Sequence, residues 1–144
     1  MMDNNCVFCK IINNEIPSNV VYEDEDFKVI LDNAPATRGH AILLPKKHFS
    51  NIYEMDSDTA AKVFTVARKV AKAMKEVLKC SGLNLLQNNG EVAGQTVFHF
   101  HLHFIPRYED DGVVFRWNPS KYQEGEASDI AKEIGDSMIN KFLN

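Results

Sequence analysis

The stretch VFHFHLHFIPR, residues 97–107, decides the fold predicted for this chain, and it holds three of the chain's five histidines. His99, His101 and His103 stand at every second position. Side chains alternate between the two faces of a β-strand, so the three imidazoles are expected on one face. The other face is apolar and is expected to pack on the core; it consists of Phe98, Phe100, Leu102 and Phe104.

The spacing of these histidines limits what they can bind together. At about 3.3 Å per residue, His99 and His103 lie about 13 Å apart along an extended strand. Zinc–nitrogen bonds are about 2.0–2.1 Å long, so the two outer rings cannot easily meet at one ion, whereas neighbouring members can. Three imidazoles opposite an unbroken apolar face also disfavour the plain alternative, a half-exposed strand that carries histidines by chance. We therefore expect one end of the triplet to bind something different from the other two.

The segments around this stretch predict an α+β domain with a mostly antiparallel sheet. Residues 20–22 and 27–32 are strand-like and flank an acidic turn, and AILLP at 41–45 is a short buried strand. LNLLQNN at 83–89 predicts a further strand that a glycine-bearing turn joins to the histidine strand. A short helix or turn is expected to start near Phe8 and to end before Pro17.

Two amphipathic helices are also predicted. The longer one lies within residues 55–82, with Asp56 or Ser57 as its N-cap and Gly82 suited to its C-cap. The shorter one lies within residues 126–143. Their apolar positions repeat with the helical period. These positions are Val63, Ala67, Val70, Met74 and Val77 in the first helix, and Ile130, Ile134 and Met138 in the second.

Composition excludes several classes of protein. The chain has 144 residues, 44% of them hydrophobic and 25% charged, which is typical of one globular domain. A net charge of −4 without a basic run or stripe argues against binding to nucleic acid or to a membrane surface. No apolar segment reaches transmembrane length and no signal peptide is evident, so we predict a cytoplasmic protein. An odd number of cysteines, three, predicts reduced thiols rather than a disulfide framework.

Cys6 and Cys9 form a Cys-x-x-Cys pair, a spacing at which two thiolates can hold one ion in a tight turn. Two buried apolar cysteines or a redox pair would have the same spacing. A tetrahedral zinc ion needs two further ligands, and histidines are available in this chain.

The stretch HFHLHFIPR resembles the histidine-triad signature of the HIT superfamily. Three further blocks resemble its histidine-triad nucleotide-binding branch: CVFCKIINNEIPSNVVYEDEDFKVILD at 6–32, APATRGHAILLPKKHFSNI at 34–52 and NNGEVAGQTVFHFHLHF at 88–104. The segment after Arg107 is similar to that of the longer bacterial-type members. The resemblance implies a HIT-like fold, with a five-stranded, mostly antiparallel sheet, one long helix, a short N-terminal helix and a C-terminal helix. It also implies a single HIT domain, with a core at 1–108 and a helical extension at 109–144, and a homodimer to which the helix near 59–79 could supply the interface.

The resemblance also implies the chemistry. His101 would be the nucleophile that attacks the α-phosphorus of a nucleoside 5′-phosphoramidate or related derivative, forming a nucleotidyl-histidine that water hydrolyses to a nucleoside monophosphate. A neutral imidazole suits this role, provided that its attacking nitrogen is unprotonated and the other nitrogen is held as a donor. His103 would bind the phosphate or help to protonate the leaving group, and the hydroxyl of Thr96 would donate to the leaving atom.

Further residues match the nucleotide site of the family. Gln95 is expected at the phosphate, Asn88 at the ribose or phosphate, and Asp32 at the ribose hydroxyls. The purine pocket would consist of Val7, Phe8, Ile11, Ile16 and Ile30, residue types that equally form ordinary core. His40 matches no assigned site, and we expect it to be a solvated loop residue.

A structural zinc site is implied at Cys6, Cys9, His48 and His99, with four protein ligands and no open position. Catalysis is expected to need no added divalent metal, because no Walker-type loop and no carboxylate cluster for a magnesium pair is present. Backbone N–H groups and an imidazolium can meet the charge that develops on phosphorus.

Two other functions remain open. A dinucleoside polyphosphate hydrolase differs only in the leaving group, and a non-catalytic purine nucleotide-binding regulator would make turnover incidental. The intact triad weighs against the regulator. A nucleotidyltransferase is disfavoured because those relatives carry glutamine in place of the last triad histidine, which here is His103.

Overall fold

The computed structural model describes residues 5–143 and confirms the α+β class. Five strands and three α-helices follow one another with two short 3₁₀ helices, at Ile52–Glu54 and Glu91–Ala93, between them. The strands are β1 (Val20–Glu23), β2 (Phe27–Leu31), β3 (Ala41–Pro45), β4 (Gly82–Leu86) and β5 (Leu102–Arg107). The helices are α1 (Val7–Ile12), α2 (Ser57–Leu78) and α3 (Glu126–Lys141).

The five strands form one sheet in the order β1-β2-β3-β5-β4, and every described pair is antiparallel. Strand β5 therefore lies between β3 and β4. His103 is opposite Ile42 on one side and Leu86 on the other. This central position brings the C-terminal half of the histidine stretch beside the loop that precedes β3.

The two faces of the sheet bury different helices. Alternate residues of β2, β3 and β5 pack against α2 in the larger core, which includes Phe27, Val29, Ala41, Leu43, Val63, Ala67, Val70, Met74, Leu102 and Phe104. The opposite face packs against α1 in a smaller core of Ile11, Ile12, Ile30, Ile42 and Leu44. His103 shares the α1 face with Ile42, because neighbouring residues opposite each other in a sheet point to the same side.

The histidine strand is shorter than predicted, because β5 begins only at Leu102. The carbonyl of His99 accepts a hydrogen bond from His101 Nδ1, and the N–H of Phe100 donates to Phe49 O, so this segment bonds outside the sheet ladder. Phe100 is buried as predicted, but Phe98 is 45% exposed and was wrongly placed on the core face. Chain that leaves the ladder loses the strict two-residue alternation of a strand.

The long helix is confirmed, with Asp56 as its N-cap accepting from the N–H of Thr59 at 2.8 Å. Its end differs from the prediction, because Lys79 is the C-cap, with a left-handed φ of 55°, and Gly82 already belongs to β4. Val77 is 76% exposed and was wrongly placed on the apolar stripe, which continues instead from Met74 to Leu78, partly buried against the larger core.

A buried lysine fastens α1 to the sheet. Lys28 on β2 is fully buried, and its Nζ donates to the carbonyl of Ile11 at 3.1 Å and to Asn14 Oδ1 at 2.7 Å. The carbonyl of Ile11 also accepts from the N–H of Asn14 at 3.1 Å, so the ammonium adds a second hydrogen bond at the end of α1. Its charge also lies 3.8 Å from a carboxylate oxygen of Glu23.

The chain divides into two compact units between Val113 and Val114. The first contains the sheet, α1 and α2, and the second contains α3. The predicted stripe on α3, Ile130, Ile134 and Met138, is 39%, 58% and 48% exposed. The assignment of residues 1–144 to a single domain stays a prediction. Within residues 5–143, no helix combines the length and apolarity needed to cross a bilayer.

Candidate active site and metal centre

The four residues predicted as metal ligands come together at the N-terminal end of α1. The ligand atoms of Cys6, Cys9, His48 and His99 all lie within 4.8 Å of one another. His99 Nδ1 is 3.5 Å from Cys6 Sγ and 3.6 Å from Cys9 Sγ, and His48 Nδ1 is 3.3 Å from Cys9 Sγ.

These distances fit a tetrahedral zinc ion. With Zn–S bonds of about 2.3 Å and Zn–N bonds of about 2.0–2.1 Å, a sulfur and a nitrogen on one zinc ion are about 3.5 Å apart. The ring of His99 is also in the required tautomer. Its Nε2 lies 2.8 Å from the carbonyl of Pro45 and must donate there, so Nδ1 keeps a lone pair that faces the sulfurs. Burial lowers the pKa of His99 to about 4, which preserves that lone pair at neutral pH.

The Cys-x-x-Cys spacing is also a helix start. Cys6 is the N-cap of α1, and its Sγ accepts a hydrogen bond from the N–H of Cys9 at 3.5 Å. A single helical turn therefore places both sulfurs on the same side. Both are reduced thiols, and both are buried.

His101 faces a different site from His99. Its Nδ1 lies 2.7 Å from the carbonyl of His99 and donates to it, which leaves Nε2 as the unprotonated nitrogen. The side chain is buried, with 7% exposure. Burial lowers the pKa of His101 below its usual range, opposed by the hydrogen bond to His99 O and by the charge of Asp32. The result is a neutral imidazole with a nucleophilic nitrogen at neutral pH.

Phe8 connects the two sites. It lies between the two cysteines in sequence, and its ring makes edge contacts with His99 and His101, with ring centres 6.0 and 5.0 Å apart. Phe8 is partly buried against the smaller core. A group that fixes Cys6 and Cys9 therefore also fixes the aromatic ring beside His101.

His103 lies next to His101, with ring centres 4.9 Å apart, and is partly exposed. The pKa of His103 is lowered to about 4, mainly by burial and to a smaller extent by the neighbouring rings of His101 and His40. Its Nδ1 is 2.9 Å from Nε2 of His40. The triplet is thus divided as its spacing predicted, with His99 at the metal cluster and His103 at another site.

His40 was wrongly expected to be solvated. It is 6% exposed, directly precedes β3, and is held by the N–H of Ala36, which donates to its Nδ1 at 2.9 Å. Asp32 Oδ2 lies 3.7 Å from His40 Nε2. No local sequence signal marked this position, because the contact depends on the register of β3 on β5, which sets His40 two residues before the partner of His103.

The loop that precedes the three histidines in sequence is held in place by the side chain of a buried glutamine. Gln95 is 2% exposed, and its side chain bonds to Ser50 O, Val97 O and the N–H of Gly90. Its amide therefore braces the loop, and its predicted contact with phosphate stays a prediction. Thr96, the next residue, is exposed. Asn88 is partly buried and donates to Gly94 O at 3.4 Å.

The remaining predicted binding residues lie on the α1 face. Asp32 directly follows β2, is partly buried, and accepts from the N–H of Ala34. Ile11 and Ile30 are buried in the smaller core, Phe8 and Ile16 pack partly buried against it, and Val7 is 39% exposed. All of the set except Val7 thus belongs to or packs against the smaller core, and its role in holding a purine stays a prediction.

Fold and site together define an α+β protein in which a buried, neutral histidine lies beside a separate cluster of two cysteines and two histidines. The family model described as HIT domain matches residues 13–110, and the chain belongs to this family. Protein hit of Bacillus subtilis (strain 168) is 42% identical over 139 residues, which cover 94% of this chain and 96% of that protein.

Two further similarities bear on chemistry. Adenosine 5′-monophosphoramidase HNT1 of Saccharomyces cerevisiae (strain ATCC 204508 / S288c) is 35% identical over 134 residues, which cover 92% of this chain and 82% of that protein. The crystal structure of a zinc-bound histidine triad family protein from Mycobacterium smegmatis is 39% identical, with a TM-score of 0.73, and the match covers 92% of this chain and 96% of that one.

Proposed function

We propose that this protein hydrolyses purine nucleoside 5′-phosphoramidates or related nucleotide derivatives at the α-phosphorus, through a covalent nucleotidyl-histidine. Membership of a nucleotide-binding family that includes a named monophosphoramidase supports the substrate class. The single observation that carries the proposal is the tautomer of His101. Its Nδ1 is committed to the carbonyl of His99, so a buried, neutral Nε2 is left for attack.

The first half-reaction forms a bond between His101 Nε2 and the α-phosphorus and breaks the bond to the leaving nitrogen. The imidazole becomes a cation, since Nδ1 keeps its proton, and the His99 carbonyl stabilises that charge. The departing nitrogen takes one proton from water, with Thr96 Oγ1 and His103 Nε2 as the proposed hydrogen-bond donors beside it. Splitting one displacement into two lowers the barrier to each.

The second half-reaction releases the product. Water attacks phosphorus, the bond from phosphorus to Nε2 breaks, and the electron pair of that bond returns His101 to its neutral form. The proton that this water loses neutralises the hydroxide left when the departing nitrogen was protonated. Negative charge on the non-bridging oxygens is met by backbone N–H groups of the loop that Gln95 braces. A loop fixed before substrate arrives loses little entropy in this role.

Nucleotide recognition is assigned to the α1 face. The carboxylate of Asp32 would accept hydrogen bonds from the ribose hydroxyls, and Asn88 would contact ribose or phosphate. Phe8 and Ile16, both partly buried, would face the purine, with Val7 at the edge and with Ile11 and Ile30 as the floor beneath them.

The cysteine–histidine cluster is assigned a structural zinc ion. A zinc ion with four protein ligands cross-links the start of α1 to the segments that carry His48 and His99. Phe8 would then be fixed against the ring of His101.

The substrate class is tested by comparing kcat/KM for an adenosine 5′-phosphoramidate, the guanosine equivalent and a diadenosine polyphosphate. Faster release of nucleoside monophosphate from the phosphoramidates supports the proposal. A preference for the polyphosphate would favour the alternative leaving group. Tight nucleotide binding without turnover of any of the three would favour a regulatory binding protein.

Catalysis is expected to be independent of added divalent metal. Activity in EDTA should equal activity in magnesium, because histidines and backbone N–H groups, rather than a metal, are assigned to the phosphate. Zinc content should be measured in the same samples, so that loss of the structural ion is not mistaken for a catalytic requirement. Activity that returns only with magnesium, at unchanged zinc content, would refute this assignment.

A homodimer and a cytoplasmic location are retained as predictions. Phe64 on α2 is 64% exposed, and a large apolar side chain on the predicted interface helix supports the dimer.

We expect Phe64→Glu to convert a dimer to a monomer in sedimentation experiments, whereas Tyr53→Glu, which adds the same charge outside α2, should not. A monomeric wild type, or an unchanged dimer in Phe64→Glu, would contradict this interface.

A further inference from the structure

We propose that Lys28 is a positioning residue for the purine pocket, because its buried ammonium holds the C-terminal end of α1 and the turn that leads to Ile16. This inference rests on the proposed function only for the identity of the ligand, a purine nucleotide. The observation behind it is that a fully buried cation on β2 bonds to two groups of this turn, the carbonyl of Ile11 and the side chain of Asn14.

Lys28 lies on the face of the sheet that carries the proposed pocket. It is opposite Leu44, and Ile30, two residues further along β2, is opposite Ile42. Leu44, Ile30 and Ile42 all belong to the smaller core that packs against α1. Side chains at every second position of a strand share a face, so Lys28 enters the same layer as Ile30. The ammonium therefore lies among the apolar residues that are proposed to hold the base.

Helix α1 is too short to be stable by itself. It has six residues, whereas isolated helices shorter than about 12–15 residues are marginal in water. Its N-terminal end is tied by the cluster that contains Cys6 and Cys9, and its C-terminal end is tied by Lys28. Phe8 and Ile11 lie between these two ties, so the positions of both side chains depend on them.

The turn after α1 depends on the same lysine. Asn14 has a φ of 61°, in the left-handed region that residues other than glycine rarely adopt, and its Oδ1 accepts from Lys28 Nζ at 2.7 Å. The N–H of Glu15 donates to Lys10 O at 2.9 Å, and the N–H of Ile16 donates to the same oxygen at 3.3 Å. These bonds reverse the chain and bring Ile16 back against the smaller core, where it is partly buried.

A carboxylate near the end of β1 balances the buried charge. Glu23 Oε2 lies 3.8 Å from Lys28 Nζ, and Glu23 Oε1 lies 2.9 Å from Nζ of the partly exposed Lys46. The two lysines thus share one carboxylate, and Lys28 in addition holds the turn of α1. Lys46 has no described bond to α1 within residues 5–143, so it provides a matched control.

The expected consequence is a loss of affinity that is selective for the base. Without the ammonium, Asn14 and the turn are untethered, and Ile11 and Ile16 are no longer fixed before the purine arrives. A pocket that must be ordered on binding loses affinity by the cost of that ordering. The groups assigned to phosphate lie on other segments, on β5 and on the loop that Gln95 braces, and their contacts remain.

Binding is measured without turnover, by calorimetric titration with AMP and by displacement of a fluorescent AMP analogue with ribose 5-phosphate, which lacks the base. We expect Lys28→Met to raise the Kd of AMP about 10-fold, the effect of about one hydrogen bond to a charged group. The affinity for ribose 5-phosphate should not change. Methionine keeps the length of the buried stem, and an apolar replacement of a buried ion is often tolerated by the fold.

Further variants separate the turn from the general stability of the fold. Asn14→Gly keeps the left-handed conformation and removes the acceptor, so it should weaken AMP binding as Lys28→Met does. Asn14→Asp keeps an acceptor and should bind AMP like the wild type. Asn14 is exposed, so its variants test the inference even if Lys28→Met fails to fold. Lys46→Met removes an ion pair with Glu23 and should also bind AMP like the wild type.

With a phosphoramidate as substrate, Lys28→Met and Asn14→Gly should raise KM and leave kcat unchanged, because the lost contacts serve binding alone. An unchanged Kd for AMP in both variants, or an equal loss of affinity for AMP and ribose 5-phosphate, would overturn the assignment. Binding as weak in Lys46→Met as in Lys28→Met would do the same. Selective loss of AMP affinity in a protein that hydrolyses no phosphoramidate would refute the proposed hydrolysis and support this inference, whereas a wild type that binds no AMP would overturn both.

Discussion

Replacement of His101 by glycine is expected to lower kcat/KM for an adenosine 5′-phosphoramidate at least roughly 10³-fold, the scale on which loss of a covalent nucleophile is felt. The ring carries the Nε2 that is proposed to attack, which is buried and left unprotonated by the hydrogen bond from Nδ1 to His99 O. His101→Ala should show the same loss. Steady-state rates of nucleoside monophosphate release measure both.

Chemical rescue distinguishes a missing nucleophile from a damaged fold. Glycine at position 101 leaves space for a free imidazole, so added imidazole should restore part of the rate, and more in His101→Gly than in His101→Ala. Zinc content and melting temperature should match those of the wild type. Rates in both variants equal to the wild-type rate would refute the role of His101.

Removal of the proposed zinc ligands is expected to have the second-largest effect among these variants. It should lower the stability of the fold rather than remove a group that takes part in the reaction. Cys6→Ala/Cys9→Ala should lose about one zinc ion per chain, because both thiolates disappear from a four-ligand site. At free zinc about 1,000 times its Kd, binding adds about 4 kcal/mol to the free energy of unfolding, and the double variant should lose this contribution. Metal analysis and thermal unfolding measure the two effects.

The third cysteine provides the matched control. Cys80 is also buried but lies outside the cluster, so Cys80→Ala should keep its zinc. The double variant should also show a raised KM, because α1 carries Phe8 against the ring of His101. Unchanged zinc content in Cys6→Ala/Cys9→Ala would remove the metal assignment.

That one end of the triplet binds something different was accessible from sequence, because it follows from the reach of an extended chain. A rise of about 3.3 Å per residue would separate His99 from His103 too far for one ion. In the structure His99 joins the cysteines, as the family resemblance implied, while His103 lies against His40, which no prediction anticipated. The long helix was equally accessible, since its N-cap and apolar period are local signals.

The place where β5 begins was not accessible from sequence. The apolar alternation continues back to Phe98, but His101 Nδ1 and the N–H of Phe100 bond to carbonyls outside the ladder. Such bonds depend on where His99 O and Phe49 O lie in the folded chain. Similarly, the long helix ends at Lys79, which adopts a left-handed conformation as its C-cap. The sequence had pointed to Gly82 for this role, because glycine is the residue that most easily adopts such a conformation.

The position of His40 was missed for a topological reason. Its neighbours in sequence are loop residues, and nothing local places its ring next to His103, 63 positions away. The contact arises from the pairing of β3 with β5, which the order of strands along the chain does not reveal. The pairing of strands that are distant in sequence thus decides whether such a loop residue is buried, and a local sequence pattern cannot show it.

The stereochemistry of hydrolysis tests the central claim most directly. A substrate made chiral at the α-phosphorus by sulfur substitution is hydrolysed in water enriched in heavy oxygen, and the configuration of the product is determined. Attack by His101 followed by attack of water gives two inversions, so the account predicts net retention at phosphorus. Net inversion would mean that water attacks the substrate in one step, and it would contradict the covalent nucleotidyl-histidine.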